Sequence, residues 1–295
     1  MAQPREIRRR IKSIRNTQQI TRAMKMVAAA KLRKVLDRTI QLRPYTDAIT
    51  ELREHLVNGG AGQFIRSVGE REPVGVTGVL FFAGDRGLCG SYNINLTKEL
   101  DRFLASKPDE KFLVYTCGRK GKDYLLRKSP HRSRCEHWGH KDEIVNAASF
   151  ALALELTREA IKAWESGRID TLYVVYSQFI NALSQKTAAV RLWPPDLTAT
   201  EVRDEDESDY IFEPDAESLI RPILERQVST MVFSAMLESA SSEYAARMTA
   251  MENATKNADD LVSALTLEYN KARQQAITDE LLDIVGGANA MLASR

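Results

Sequence analysis

Residues 244–276, "YAARMTAMENATKNADDLVSALTLEYNKARQQA", carry the pattern that decides the fold. Along them Tyr244, Met248, Met251, Thr255, Ala258, Val262, Leu265, Tyr269, Ala272 and Ala276 follow one another in steps of four and three. A helix with that repeat presents one continuous seam, broken only by the hydroxyl of Thr255, and the spacing predicts a left-handed coiled coil. Nothing between Pro222 and Gly286 is glycine or proline. About sixty residues can therefore form a rod on the order of 90 Å long. A single helix of that length does not hold together in water without packing, so it needs a partner.

Only one other segment is long enough. It runs from Pro4, a suitable first helical residue, to about Val57, ahead of "NGGAG". Its apolar residues Ile7, Ile11, Ile14, Ile20, Met24, Val27, Leu32, Val35 and Leu36 recur at helical spacing. Pro44 predicts a kink, because proline lacks a backbone donor and crowds the preceding turn. The two segments lie at opposite ends of the chain, so they can pair antiparallel with everything else between them. Charge supports the pairing. Between Arg5 and Arg43 there are thirteen Lys/Arg against two acids, whereas Ile223 to Val285 has ten acids against five bases.

The middle alternates short apolar runs with helical ones. "VTGVLFFAG", "KFLVYTCG", "IDTLYVVYSQF" and "TAAVRLW" read as strands. Ser91–Ser106, "GRKGKDYLLRK" and "DEIVNAASFALALELTREAIKAW" read as helices. This order predicts an α/β domain with a mainly parallel sheet. "WPPDLTATEVRDEDESD" reads as an acid-rich linker. The expected organisation is a coiled-coil helix over 1–58, an α/β domain over 74–213 and a second coiled-coil helix over 214–295.

Composition narrows the class. The chain has 295 residues, a net charge of +2 and three cysteines, Cys89, Cys117 and Cys135. Three cysteines are too few for a disulfide framework and fit a reducing compartment. No apolar run is long enough to span a bilayer, and "REIRRRIK" offers no secretory core. An intracellular protein without a transit peptide is expected.

Two motifs invite chemistry. "GDRGLCGSYN" follows the first strand and leads into a helix, where nucleotide-binding folds place a phosphate loop. The glycines fall at Gly84, Gly87 and Gly90, which matches neither the dinucleotide fingerprint nor a P-loop, and a tight turn is the simpler reading. "HRSRCEHWGH" packs His131, Cys135, His137 and His140 into ten residues. Zinc accepts such ligands, but paired short spacings are missing, and polar surface of loop-like composition is the simpler reading. No hydrolase or metalloprotease motif and no acid pair beside a histidine appears. The basic helix remains. Nucleic acid is one partner it could meet. Yet "MKMVAAA" interrupts the cations and no aromatic precedes Tyr45, so a protein sleeve bearing acidic segments fits better.

Several separated stretches in the same order resemble the gamma subunits of rotary F-type ATP synthases. "REIRRRIKSIRNTQQITRAMKMVAAAKLRK" is similar to the family's first helix. "GDRGLCGSYN" resembles its mid-chain motif, with Gly84 where serine is usual. "YIFEPDAE" resembles the lead-in to the last helix, and "YNKARQQAITDELLDIVGGANA" the C-terminal signature, including Ile277, Thr278, Glu280, Asp283, Gly287 and Ala288. The resemblance implies terminal helices wound as an antiparallel coiled coil beside a Rossmann-like α/β domain. It implies a non-catalytic rotor without a cofactor, standing inside a ring of alpha and beta subunits and seated with epsilon on the c-subunit ring. The membrane would be met only through the complex, on the cytoplasmic face of a bacterial plasma membrane, and nucleic acid not at all. Met24 and Lys25 match positions where a beta subunit presents an acidic loop, and Arg273 with Gln274 match a beta contact on the opposite side. Ala28–Ala30 and Gly286–Ala290 would let the shaft pass through its collar. No cysteine pair matches the redox insertion of chloroplast members, and "HRSRCEHWGH" matches no family motif. The competing readings are a basic coiled-coil nucleic-acid binder and a nucleotide-binding α/β enzyme.

Overall fold

The computed structural model describes residues 4–56, 72–143, 147–195, 213 and 215–293. "NGGAG", most of the acid-rich linker and half of "YIFEPDAE" lie outside the described residues. The elements are α1 (Pro4–Leu56), β1 (Val76–Phe82), α2 (Tyr92–Ala105), β2 (Lys111–Cys117), α3 (Arg119–Arg127), β3 (Cys135–Lys141), α4 (Phe150–Glu165), β4 (Thr171–Phe179), β5 (Gln185–Trp193) and α5 (Ala216–Ala293). They form two compact units, Met1–Val27 with Met248–Arg295, and Ala28–Arg247.

The first unit is the antiparallel pairing of the two terminal segments. Gln18 donates to Asp259, the hydroxyls of Thr21 and Thr255 meet at 2.8 Å, and Lys25 Nζ lies 2.6 Å from Glu252 Oε1. As one number rises the other falls, which sets the direction. On α5 the seam is the one read from the sequence. Met251 and Ala258 are buried, and Met248, Thr255, Val262, Leu265, Tyr269, Ala272 and Ala276 are half-buried, with mostly exposed residues between them.

On α1 the seam departs from the apolar reading. The covered positions are Ile7, Ile11, Ile14, Gln18, Thr21 and Lys25, whereas Ile20 and Val27 are 61% and 57% exposed. The physical reason is the period. Steps of four and three keep a stripe facing a supercoiled partner, and Gln18, Thr21 and Lys25 fall on that stripe although they are polar. Each is served across the seam by the bonds above, so polarity there costs little and specifies register.

The threonine pair yields the first prediction. Thr21→Val or Thr255→Val alone removes the cross-helix bond, whereas the double substitution fills the seam with methyls. A double-mutant cycle by thermal denaturation is expected to show a coupling of about 0.5–1.5 kcal/mol. Strictly additive effects would mean that the two hydroxyls act independently.

The second unit holds a five-stranded sheet in the order β3-β2-β1-β4-β5. β1 pairs parallel with β2 and β4, β3 pairs parallel with β2, and β5 closes the other edge antiparallel to β4. The central strands are continuous apolar runs because both faces are covered. Phe81, Leu80, Val79, Val114 and Val175 are fully buried, with Leu96, Leu100 and Leu104 of α2 among the buried partners. Small residues of α5 pack against the sheet. Ser239 Oγ accepts from Ser177 N, Ser242 Oγ donates to Ser177 O at 3.1 Å, and Tyr92 donates to Ser239 O. At the opposite end of β1 the carboxylate of Asp170 accepts three successive amides, Val74, Gly75 and Val76.

Several sequence expectations are corrected. "HRSRCEHWGH" holds an edge strand, β3, rather than a loop. Edge strands tolerate polar residues on both faces, which erases the apolar alternation. Its register shifts opposite Val114/Tyr115, and Gly139 is needed there because a Cβ would lie 2.5–2.8 Å from the Tyr115 ring. α4 begins at Phe150 rather than near Asp142. Glu143 has φ +59°, which is not helical, and Ser149 caps the helix by accepting from Leu152 N. α5 starts before Pro222, with Asp215 accepting from Ser218 N at 2.7 Å, and continues past Gly286. Pro44, where a kink is expected, lies exposed within the continuous α1.

Candidate partner-contact surface

The sequence singles out Met24, Lys25, Arg273 and Gln274, all of which fall in the first unit. Met24 is half-buried beside the seam. Lys25 sits on the seam itself. Its ammonium reaches Glu252 of α5 at 2.6 Å while its side chain stays 38% exposed. One face of the cation is thus answered within the chain and another remains open to solvent. Exposed ion pairs contribute little to stability, so Lys25 is free to serve another acid without endangering the fold.

Arg273 and Gln274 lie on the outer face of α5, between the covered positions Ala272 and Ala276, and both are exposed. The register places Met24 and Lys25 opposite about residue 252, roughly twenty residues and about 30 Å of helix from Arg273. The structure therefore does not bring the four residues together. It sets two patches apart along one coiled coil.

Among the described residues, the same register leaves no part of α1 opposite the end of α5. Pro4 falls opposite about residue 273, and beyond it Ile277, Leu281, Leu282, Ile284 and Val285 are exposed. Five large aliphatic side chains on one helix end form an apolar surface of the kind that marks a protein contact. The sequence signal for this was present but hidden. Ile277, Leu281 and Ile284 keep steps of four and three but are out of phase with the seam that runs through Ala272 and Ala276. On α1 a cationic face made by Arg5, Arg8, Arg9, Lys12 and Arg15 accompanies the seam.

The "GDRGLCGSYN" turn belongs to the second unit. It joins β1 to α2 and packs against α5. Glu243 is buried and ion-paired to Arg247 at 2.7 Å, and Arg247 also donates to Gly87 O. A Cβ on Gly84 would lie 3.0 Å from Asn93 Oδ1 and 3.1 Å from Glu243 Oε2. Burial raises the Glu243 carboxyl above its ordinary range, Arg247 opposes that, and Asp85 adds to it. The Gly84 amide already donates to Asn93 Oδ1 at 2.9 Å and Glu243 fills the space beside it, so this geometry argues against the nucleotide-loop reading. Gly90 at φ +57° makes the turn, and Leu88 takes φ +63° with its side chain 66% exposed. A non-glycine residue in that region is uncommon, and a large apolar one held there in solvent is a contact candidate that the sequence reading missed.

Among the described residues no group of three or more His, Cys, Asp or Glu could hold a metal ion, and no helix is long and apolar enough to cross a membrane. Cys89, Cys117 and Cys135 are free thiols, each with its ionisation pushed up by burial. None is poised as a nucleophile.

Comparison with known proteins matches these features. A family model described as ATP synthase covers residues 3–291. The chain is 40% identical over 291 residues to the ATP synthase gamma chain of Desulfitobacterium hafniense, covering 99% of this chain and 100% of that one. It is also 40% identical over 298 residues to the ATP synthase gamma chain of Chloroflexus aurantiacus, covering 99% of each. Among solved structures it resembles a chain of the Tetrahymena thermophila mitochondrial ATP synthase central stalk and c-ring. That match has TM-score 0.58 at 28% identity, over 80% of this chain and 99% of that one. The fold is also shared with a chain of the Euglena gracilis mitochondrial ATP synthase, TM-score 0.68 at 22% identity, over 99% and 95% of the two chains.

Proposed function

This chain belongs to the ATP synthase gamma-chain family, and from that premise we propose how its geometry does the work. It is a non-catalytic central-stalk subunit, the rotor of an F-type ATP synthase. The observation that carries this reading is a full-length match to gamma chains in a molecule whose terminal helices wind into an antiparallel coil ending in exposed apolar side chains.

The coil stands inside the ring of alpha and beta subunits, and the α/β unit meets epsilon and the c-subunit ring. The complex is membrane-associated and this chain is peripheral to it. Bacterial relatives support the cytoplasmic face of a bacterial plasma membrane. The nucleic-acid reading has no support in these comparisons, and the cationic face of α1 is better matched to acidic segments of the surrounding ring.

The physics of coupling follows from asymmetry. One side of the coil carries Lys25 and the arginines of α1, and another carries Arg273, Gln274 and the aliphatic end of α5. Each of three beta subunits therefore meets a different surface. A surface shifts a beta subunit between conformations only by as much as its contact energies differ between them. Rotation moves those differences from one beta subunit to the next, so nucleotide affinities change in turn. In this reading the nucleotide chemistry belongs to the beta subunits. This chain's contribution is stiffness plus a lopsided pattern of charge and apolar surface.

A tagged copy expressed in its native cells tests the assignment. Solubilised membranes are expected to yield alpha, beta, epsilon and c subunits with the tag, in a complex that survives 0.5 M salt. Recovery of the chain alone, or with nucleic acid that leaves on raising the salt, would overturn it.

A further inference from the structure

The histidine cluster of β3 lies outside everything the rotor role uses. Thr116 of β2 is fully buried, and two rings close on it. His137 Nε2 is 3.1 Å from Thr116 Oγ1, and His140 Nδ1 is 3.0 Å from both Thr116 Oγ1 and Thr116 O. On its other side His140 Nε2 lies 2.6 Å from Asp142 Oδ1. Asp142 Oδ2 is 3.6 Å from Arg119 of α3.

Donor and acceptor roles decide what this arrangement wants. A carboxylate and a carbonyl can only accept. Asp142 therefore asks for a hydrogen on His140 Nε2, and the Thr116 carbonyl asks for one on Nδ1. A neutral ring can answer one of them. In its neutral form, with Nε2–H turned to Asp142, the bare Nδ1 accepts the Thr116 hydroxyl but faces the Thr116 carbonyl at 3.0 Å with no hydrogen between them. An imidazolium satisfies both, and the Thr116 hydroxyl is then released to donate to His137 Nε2 or to Gly139 O, 3.4 Å away.

We propose that His140 is a proton-operated clasp on the open edge of the sheet. Taking up one proton from water at Nδ1, it ties Asp142, just beyond β3, to the backbone of β2; losing it, the ring keeps Asp142 and lets the carbonyl go. The groups that face it are Asp142, which favours the proton, Arg119 and Lys122 of α3, which oppose it, and His137 beside it on β3. His137 is a poor competitor for the proton, since burial, Lys122 and His140 all push its ionisation below the ordinary range. Asp142 is held below the usual carboxylate range, first by its hydrogen bond to His140. Asp142 therefore stays a carboxylate acceptor through the pH 5–8 interval in which imidazoles change charge.

Hydrogen exchange of the full chain, followed by mass spectrometry and corrected for intrinsic rates, tests this. Going from pH 8 to pH 5.5, protection of the Cys135–Lys141 segment is expected to rise about two- to fivefold relative to β1, the range spanned by a partly exposed ion pair. Asp142→Asn and His140→Gln are each expected to flatten that rise, and His137→Gln to keep it. Equal protection of the unmodified chain at the two pH values would overturn the proposal without any variant. A rise that survives Asp142→Asn, or one lost in His137→Gln, would place the proton elsewhere and overturn it as well.

Discussion

A Gly118→Ala chain is expected to lose at least about 3 kcal/mol of stability, and its α/β unit is expected to fail at ordinary growth temperature. Gly118 ends β2 at φ +102°, a backbone conformation that side chains rarely adopt. A Cβ there would lie 2.7 Å from the carbonyl carbon of Ala83 and closer still to its oxygen. Ala83 cannot retreat, because its amide donates to Cys117 O at 2.8 Å. Gly118 in turn donates to Lys141 O at 2.8 Å, so the displaced backbone would drag β3 with it. Gly167→Ala is the control. Gly167 also has positive φ, +74°, but nothing lies within 4 Å of its added Cβ. It should cost only the backbone term, about 1–2 kcal/mol. Urea unfolding of both variants measures the difference, and similar midpoints would show that the clash at Gly118 relaxes.

The second large effect concerns coupling. Lys25→Glu is expected to lower ATP synthesis by about tenfold or more in the assembled complex, with Arg273→Glu acting in the same direction, while the isolated chain still folds. Reversing one charge on a partner face loses an attraction and adds a repulsion of similar size, and a tenfold loss needs only about 1.4 kcal/mol. The difficulty is that Lys25 already pairs with Glu252, so a loss could come from the coil rather than from a beta subunit. The exchange Lys25→Glu with Glu252→Lys separates the two. It restores the pair within the chain but leaves an acid where the partner expects a base. Synthesis is expected to stay low in the exchanged chain. Recovery to the unmodified level would mean that Lys25 serves the coil and not the partner. Thermal unfolding of the free chain should move little in any of these variants, since the pair is half-exposed and worth at most about 1 kcal/mol.

Much of the fold was legible because two periods are written plainly. The seam of α5 is apolar at nearly every covered position, and β1, β2 and β4 are largely apolar runs whose stable place is the middle of a covered sheet. The seam of α1 was misread at Ile20 and Val27 because Gln18, Thr21 and Lys25 occupy covered places, and only the opposite helix explains why they are tolerated. β3 was missed for a related reason. Its polar residues look like a loop until Thr116, Tyr115 and Gly139 show what they pair with.

The amino-acid sequence by itself determined the seven-residue repeat of the last helix, the strand and helix order of the middle, the placement of opposite charge at the two ends and the motifs shared with gamma chains. These are local properties, set by spacing and composition along one stretch. Tertiary structure alone decided which polar residues enter the α1 seam, that Lys25 already has an acid beside it, that Glu243 closes the glycine turn, and that His140 is caught between two acceptors. Each of these depends on a partner distant in the chain, and a hydrogen bond or ion pair across the fold leaves no periodic mark in the sequence that makes it.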